Sequence, residues 1–331
     1  MNWEIDFVIR RQDLSMVGDG FKVFHLFPGA KASMQRMDPF LMLDYNPPWE
    51  IPPSNKPRGV DVHPHRGFET VTFVFSGEVS HADSSGNFGT IGPGEIQWMH
   101  AASGILHKEY HSEQFTREGG VFHMAQLWVN LPSHRKKDPP GYCSILRDQI
   151  PVLEGGGGKM ALVAGSLAEG EEGVLRFVNS QSHDMNAIHG PGPVCSPILA
   201  AILDWDTSEY KPVLDIPSHF TLLALLMNGS LEGKHEGVKA GDLLVFQPAG
   251  AYGNSQEGEV QEEHGHSLLS LEARPGTKVL LLAGEPLGEP IAAYGPFVMN
   301  SANEIQAAFE DYRNGRFGTL VFFHNEPLIS V

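Results

Sequence analysis

The sequence predicts a mostly β protein with two related antiparallel β-domains and a C-terminal helix. Short runs of alternating apolar residues are separated by glycines and prolines, of which the 331-residue chain has 37 and 24. This spacing is typical of sandwiches or barrels whose strands are joined by hairpins. The clearest runs are TVTFVFSGEV, GVFHMAQLWVNL, FTLLALLMNGSL and KVLLLAG.

The two halves of the chain carry similar short segments in the same order. SGEV at 76–79 resembles NGSL at 228–231, and PGEIQW at 93–98 resembles AGDLLV at 240–245. The two pairs are offset by 152 and 147 residues, and each half then has a strand, a glycine turn and a second strand. We therefore predict two domains of similar design, over 1–132 and 143–298.

A polar, proline-rich segment, NLPSHRKKDPPGY, separates the halves and predicts a linker over 133–142. Residues 299–331 are predicted to form a helix and tail. In SANEIQAAFEDYRNGRFG, Ser301 is the predicted N-cap and Gly315 the stop. The apolar face of this helix is predicted to consist of Ile305, Ala308, Phe309 and Tyr312.

Composition excludes several classes of protein. The net charge of -17 argues against a direct nucleic-acid surface, because phosphate contacts need a clustered basic face. No apolar run reaches the roughly 20 residues of a membrane span, and no signal-peptide core is present. Cys143 and Cys195 lack CxxC partners, so both are predicted to be reduced. We expect a cytoplasmic protein, or a nuclear one if the source is eukaryotic, that is monomeric and binds no membrane.

The segment VDVHPHRGFETVTFVFSGEV places two histidines one residue apart before an apolar strand. Because strand side chains alternate between faces, His63, His65 and Glu69 are predicted to share one face. Two imidazoles and a carboxylate above an apolar floor are costly unless something pairs them, and a metal ion would do so.

A second cluster follows in GILHKEYH, where His107 and Glu109 share a face by the same alternation. If the glycine-rich turns at 76–94 return this strand beside the first, two pairs of ligands converge. Three imidazoles and one carboxylate suit iron, nickel, copper, manganese or zinc rather than calcium. Positions left open on the metal would take water, dioxygen or a chelating substrate. The converging residues are His63, His65, His107 and Glu109.

Spacing leaves alternatives open. Glu69 has the spacing of the carboxylate in a general cupin motif, and spacing alone does not choose between it and Glu109. His111 shares the face of His107 and would replace it in another strand register. The remaining nearby histidines, interpreted as surface groups or as neighbours of the ligands, are His81, His100 and His123.

The second half is predicted to hold no catalytic metal. The offset of 152 maps His63 and His65 onto Asp215 and Pro217. The offset of 147 maps His107 and Glu109 onto Asn254 and Gln256. The histidines of this half have no arrangement that pairs an HxH segment with an HxE segment; they include His219, His235, His264 and His266.

Residues 63–111, HPHRGF through KEYH, resemble the N-terminal signature of the pirins, a branch of the cupin superfamily. GPFVMNSANEIQAAFEDYRNGRFG at 295–318 resembles their C-terminal signature. The resemblance covers nearly the whole chain and implies a bicupin of two antiparallel β-barrels with metal only in the first. It implies non-haem iron, Fe(II), as the metal and Glu109 rather than Glu69 as the carboxylate ligand. The implied ligands are His63, His65, His107 and Glu109.

The resemblance implies two kinds of function. The leading hypothesis is an iron-dependent dioxygenase that opens a flavonol such as quercetin, or another small aromatic chelator, with Glu109 or Glu69 as the proton acceptor. The alternative is a redox-sensing regulator that binds a protein partner, and a third reading makes the metal purely structural. Candidate apolar walls of the site are Phe73, Phe75 and Trp98. His100, in place of a small hydroxyl residue, and the additional His111 depart from the pirin pattern and leave the substrate open.

Overall fold

The computed structural model describes residues 1–179, 185–249 and 265–320, and strands dominate it. In chain order the first twelve strands, β1 to β12, are Trp3–Ile9, Ser15–Val17, Phe21–Phe27, Phe40–Ile51, Gly59–His65, Phe68–Ser76, Val79–Asp83, Phe88–Ile91, Ile96–His100, Ile105–His111, Gly120–Asn130 and Gly141–Ile145. Strands β13 to β25 are Val152–Gly155, Gly158–Ala164, Ser166–Glu169, Leu175–Val178, Ile188–His189, Ile198–Trp205, Val213–Pro217, Thr221–Asn228, Leu243–Pro248, His266–Ser270, Lys278–Gly284, Ala292–Tyr294 and Phe297–Met299. Helices α1 to α3 are Met34–Met37, Glu113–Glu118 and Ala302–Arg313.

The chain folds into two compact units that are interleaved in sequence. Unit 1 contains Met1–Asp13, Phe24–Tyr45 and the described part of Ile145–Gly288. Unit 2 contains Leu14–Val23, Asn46–Ser144 and the described residues from Glu289 onward. These units differ from the contiguous domains predicted over 1–132 and 143–298, because both chain ends join the unit built mainly from the other half. Strand β1 pairs with β21 of unit 1, for example, and α3 belongs to unit 2.

The strands of unit 2 lie mainly in two sheets. One has the order β12-β9-β6-β11-β4-β3-β2, and the other has the order β5-β10-β7-β8. Strand β6 is antiparallel to both β9 and β11, and β10 is antiparallel to both β5 and β7. The HPH motif, residues 63–65, therefore lies in the smaller sheet, whereas the apolar run that follows it, β6, lies in the larger one.

Unit 1 is built in the same way from a seven-stranded sheet, β1-β21-β20-β23-β18-β14-β13, and a five-stranded sheet, β17-β15-β16-β19-β22. The internal similarity is visible in the strand register, since Thr72 lies opposite Gln97 and Ala224 opposite Leu244. Across the described residues the sheets have linear strand orders, so closure into barrels stays a prediction. No helix in the described ranges is long and apolar enough to cross a membrane.

Helix α3 has the predicted cap and three of the four residues of the predicted apolar face, whereas Tyr312 is 42% exposed. The Ser301 hydroxyl accepts a hydrogen bond from the backbone N–H of Glu304 at 3.4 Å, which satisfies one free donor of the first turn. Ala308 is buried, and Ile305 and Phe309 pack against the same apolar cluster. The predicted amphipathic helix is confirmed.

The segment predicted as a linker is packed into unit 2 through one lysine. Lys136 is only 1% exposed. Its ammonium donates to the backbone oxygen of Gly67 at 2.6 Å, to Asn130 Oδ1 at 2.6 Å and to the backbone oxygen of Val298 at 3.3 Å. A buried charge needs such partners, so this contact fixes the turn after the HPH motif.

Arg66, the residue directly after the HPH motif, is bound to the same C-terminal segment. Its backbone N–H donates to Pro296 at 3.3 Å, and its backbone oxygen accepts from Val298 at 3.0 Å. Its guanidinium donates to Asp311 Oδ2 on α3 at 2.7 Å. The end of β5 is thus held by residues more than two hundred positions away in sequence.

Candidate metal centre

Three histidines meet where β5 and β10 pair. His107 lies directly opposite His63, and Ile105 lies opposite His65. The centroids of the three rings are 4.3 to 4.8 Å apart, and each ring offers a nitrogen within 4.8 Å of the others. The His63 Nδ1 lies 2.7 Å from the backbone oxygen of Asp61, which leaves its Nε2 for a ligand. The structure brings together the three predicted histidines; their role as ligands stays a prediction.

Two of these rings have a buried nitrogen that no described group satisfies. They are Nδ1 of His65 and Nε2 of His107, and the other nitrogens contact the Pro296 backbone and His81 respectively. Burial, followed by the charge of nearby His63, holds the pKa of His65 and of His107 well below the usual range. Both imidazoles are therefore neutral at neutral pH and can offer a lone pair, which suits a bound metal ion.

Glu109 reaches from β10 to polar side chains of the facing sheet. Its Oε1 accepts from Gln97 Nε2 at 2.7 Å and from the Thr72 hydroxyl at 3.5 Å, and its Oε2 accepts from Gln126 Nε2 at 2.9 Å. Donors from three neighbouring strands thus hold one buried carboxylate. We call Thr72, Gln97 and Gln126 the carboxylate cradle.

Glu109 shares a cluster of candidate ligands with His107 and His81, rather than with His63 and His65. In the β7–β10 register, Glu109 lies opposite His81. The four predicted ligands therefore form two overlapping groups that share His107.

His81 was interpreted from sequence as a surface or neighbouring group, and the structure buries it within this site. Its ring stacks on Tyr142 at 4.6 Å, and its Nε2 lies 3.1 Å from Asp83 Oδ2. Burial raises the pKa of Asp83, but hydrogen bonds from His81 and Asn87 outweigh burial and leave it below its usual value. The available signal was the alternation in SHAD, which places His81 and Asp83 on one strand face.

Glu69 does not join the histidines, contrary to the alternation predicted from the sequence. The chain turns at Gly67, whose φ of 89° is left-handed, and passes from one sheet to the other. The period of two therefore does not continue from His65 to Glu69. Glu69 instead lies beside His100, with Oε1 2.8 Å from the His100 Nδ1.

The aromatic wall of the site also differs from the predicted one. The rings of Phe68 and Trp128 stack at 4.2 Å, and each lies 5.2 Å from His65. On β6, alternation places Thr72 of the cradle on the same face as Phe68 and turns the odd-numbered residues to the opposite face. The predicted wall residues on that opposite face, including the cross-strand partner of Val71, are Phe73, Phe75 and Trp98.

His111 does not take the place of His107. It packs among Phe21, Phe115 and Phe122, with ring centroids 4.7 to 5.7 Å apart. Burial lowers its pKa to about 4. His111 is therefore a neutral component of an aromatic core.

Comparison with known proteins identifies the family. The Pirin family model matches residues 20–129, and the model of the Pirin C-terminal cupin domain matches residues 202–318. The chain belongs to the pirin family. Its two cupin domains and mostly β structure agree with the bicupin fold of that family.

Relatives of this pirin family chain include proteins named for an activity. It is 42% identical over 304 residues to the "Putative quercetin 2,3-dioxygenase" of Pseudomonas aeruginosa, covering 91% of this chain and 93% of that protein. It is 34% identical over 303 residues to a pirin-like protein of Caulobacter vibrioides, covering 91% and 94%. The crystal structure of a quercetin 2,3-dioxygenase from Acinetobacter baumannii matches with a TM-score of 0.80 and 34% identity, covering 97% of this chain and all of that one.

In unit 1 of this pirin family chain, the positions that correspond to the histidines are apolar. The connection from β19 to β20 is one residue longer than that from β5 to β6. This shift turns Leu214 and Ile216 into the core of unit 1, whereas Asp215 accepts from Arg176 Nε at 2.8 Å. The predicted equivalence of His63 with Asp215, and of His65 with Pro217, is therefore displaced by one residue.

The structure does not describe the predicted equivalents of His107 and Glu109. Asn254, Gln256 and His264 lie outside the described residues. Within the described part of unit 1, no three metal-binding side chains cluster, including those of His219, His235 and His266.

Proposed function

We propose that the chain is a metal-dependent dioxygenase that opens a flavonol such as quercetin or a similar chelating enol. The observation that carries this proposal is the set of three adjacent imidazoles, two of which have a buried nitrogen with no partner among the described residues. The names of its relatives support the class of substrate. Fe(II) is the proposed metal, and the same donor set accepts Ni, Cu, Mn or Zn.

The proposed ligands are His63, His65, His107 and Glu109. A metal ion held there would supply Lewis acidity toward a chelating hydroxyl and redox chemistry with dioxygen. Three neutral imidazoles and one carboxylate would leave a bound divalent ion with one net positive charge. That charge favours a singly ionised enol over a neutral phenol.

Glu109 is the proposed acceptor of the hydroxyl proton, because its carboxylate lies in the ligand cluster. The cradle donors orient it, so that a proton received at one oxygen leaves the other held by an amide. Glu69 is the alternative acceptor, but it lies beside His100 on the opposite face of β6. We propose that Glu69 orients His100 instead.

Trp128 is the proposed contact for an aromatic substrate, and the fully buried ring of Phe68 supports it from behind. Their stacked rings lie against His65 and leave one side of the cluster apolar. An aromatic ligand next to them would exclude water from the reacting centre.

The test is turnover of quercetin by protein loaded with Fe(II) under oxygen. We expect loss of the flavonol absorbance together with release of carbon monoxide. Metal-loaded protein that leaves quercetin unchanged would refute the flavonol version. If His63→Ala lowers the melting temperature but retains turnover, the metal is structural.

The regulatory alternative stays a prediction. It requires the set of captured protein partners to change between the Fe(II) and Fe(III) forms. Identical partner sets would count against it.

A further inference from the structure

Strand register places a second carboxylate–histidine pair behind the candidate ligands. In the β7–β10 pairing, Asp83 lies opposite His107, and His81 lies opposite Glu109. Side chains directly opposite in an antiparallel pair share one sheet face. The three groups therefore form a row from Asp83 through His81 to His107.

The distances make this row continuous. Asp83 Oδ2 lies 3.1 Å from His81 Nε2, and His81 Nδ1 lies 3.4 Å from His107 Nδ1. The side chains of Asp83 and His81 are completely buried, so water does not compete for these contacts. The remaining nitrogen of the row, His107 Nε2, has no partner among the described residues.

Donor and acceptor rules then determine where each proton lies. An ionised carboxylate can only accept, so the proton of His81 must be on Nε2. The bare Nδ1 of His81 can in turn only accept, so the proton of His107 must be on its Nδ1. The lone pair of His107 is therefore on Nε2, the nitrogen that has no partner in the part of the chain that the structure describes.

We propose that Asp83 and His81 fix the tautomer of His107 and so set the metal affinity of the site. Both are positioning residues, since the two nitrogens of His81 are already used within the row. This inference rests on the proposed metal centre. Removing such supporting hydrogen bonds from a metal-binding histidine typically weakens affinity by 10- to 100-fold.

Hydrogen bonds from neighbouring backbone groups fix the orientation of the Asp83 carboxylate. Its Oδ1 accepts from the backbone N–H groups of Ser85 at 2.9 Å and Asn87 at 3.0 Å. That oxygen is fixed, so Asp83→Asn would turn the new amide nitrogen toward His81 and toward Asn87 Nδ2, which donates to Oδ2 at 3.0 Å in the wild-type protein. The amide would donate to His81 Nε2, move its proton to Nδ1 and force the proton of His107 onto Nε2. This is the tautomer that cannot bind a metal through Nε2.

The first measurement needs no variant. Long-range 1H–15N correlation spectra of the metal-free protein, labelled at histidine, should show protonated Nδ1 for His107 and protonated Nε2 for His81. The opposite tautomer of His107 in the wild-type protein would overturn the proposal.

The second measurement is Co(II) affinity by competition with a chromophoric chelator. We expect Asp83→Asn and His81→Phe each to weaken binding by about 10- to 100-fold. The phenylalanine keeps the ring that stacks on Tyr142 and removes both nitrogens. Tyr142→Phe is the matched control and should bind Co(II) like the wild-type protein. Wild-type affinity in both Asp83→Asn and His81→Phe would refute the role of the row.

A further variant separates this inference from the proposed metal centre. His63→Ala should lose Co(II) binding while the His107 tautomer stays unchanged. If His63→Ala binds Co(II) as tightly as the wild-type protein, the proposed centre is wrong, whatever the tautomers are.

Discussion

Two regions with the same strand register have opposite interiors. In unit 2, three neighbouring strands present the carboxylate cradle, with Thr72 opposite both Gln97 and Gln126. In unit 1, the strands that pair in the same way are β21, β20 and β23. The corresponding residues, all in the apolar core of that unit, are Leu244, Ala224 and Leu281.

Apolar residues also replace polar ones in the smaller sheet of each unit, where β19 and β22 of unit 1 correspond to β5 and β10 of unit 2. His63 lies opposite His107 in unit 2, and Leu214 lies opposite Leu269 at the corresponding place in unit 1. Both leucines are fully buried in its core. The strand framework is thus compatible with either interior. The difference teaches that chemistry in this fold depends on about six inward positions rather than on the strands.

The largest expected effect is on bound metal, which should depend on a residue of unit 2 and not on its counterpart in unit 1. We expect His107→Ala to reduce bound metal to near zero, whereas Leu269→Ala should leave it unchanged and destabilise unit 1 by about 2–5 kcal/mol through a cavity. Elemental analysis and chemical unfolding measure the two quantities. Normal metal content in His107→Ala would break the comparison.

The next largest effect should be on turnover, which we expect to differ between variants of Glu109 and of Glu69. Glu109→Gln removes the proposed proton acceptor and a ligand, so turnover should fall by about 10²–10⁴-fold. Glu69→Gln should lower it less than tenfold, because Glu69 lies beside His100 and away from the cluster. Steady-state kinetics on protein with matched metal content make the measurement. Equal losses would restore Glu69 as the base.

Exchanging one cradle position between the units tests the polar and apolar interiors directly. Gln97→Leu leaves the buried Glu109 with one donor fewer, and Leu244→Gln buries an amide without a partner. Each change should cost about 1–3 kcal/mol of unfolding free energy. Only Gln97→Leu should also reduce turnover. A Leu244→Gln variant as stable as the wild-type protein would show that unit 1 tolerates a polar interior.

The last effect should be common to both units. Burial lowers the pKa of His111 in unit 2 and of His235 in unit 1 to about 4. The unfolded chain binds these protons near pH 6.5, so the metal-free protein should lose stability as the pH falls from about 6.5 toward 4. His111→Phe and His235→Phe should each reduce this loss in melting scans. An unchanged pH dependence in both variants would exclude these residues as its source.

Much of the site could be predicted because it rests on local alternation. The period of two within one strand placed His63 with His65 and His107 with Glu109. The apolar run KVLLLAG, one of those typical of strands, coincides with strand β23, Lys278–Gly284.

The predictions that differ from the structure concern residues where strand alternation stops or where contacts between distant parts of the sequence determine the pairing. Gly67 redirects the strand, so Glu69 changes faces without any loss of strand character. One extra residue before β20 shifted the equivalents of the histidines. The interleaved units depend on pairings such as β1 with β21, which local periodicity does not encode. His81 was interpreted as a surface group or a neighbour of the ligands, and its contact with His107 depends on the pairing of β7 with β10, which local alternation does not encode.

The contacts of Arg66 and Lys136 with the C-terminal segment bear on how the protein is synthesised. The histidines are translated within the first third of the chain, but Asp311, the partner of Arg66, follows 245 residues later. At about 5–20 residues per second, that interval is roughly 10–50 s on the ribosome. The nascent chain therefore carries its histidines long before the turn beside them is fixed. We expect metal loading to follow release of the finished chain.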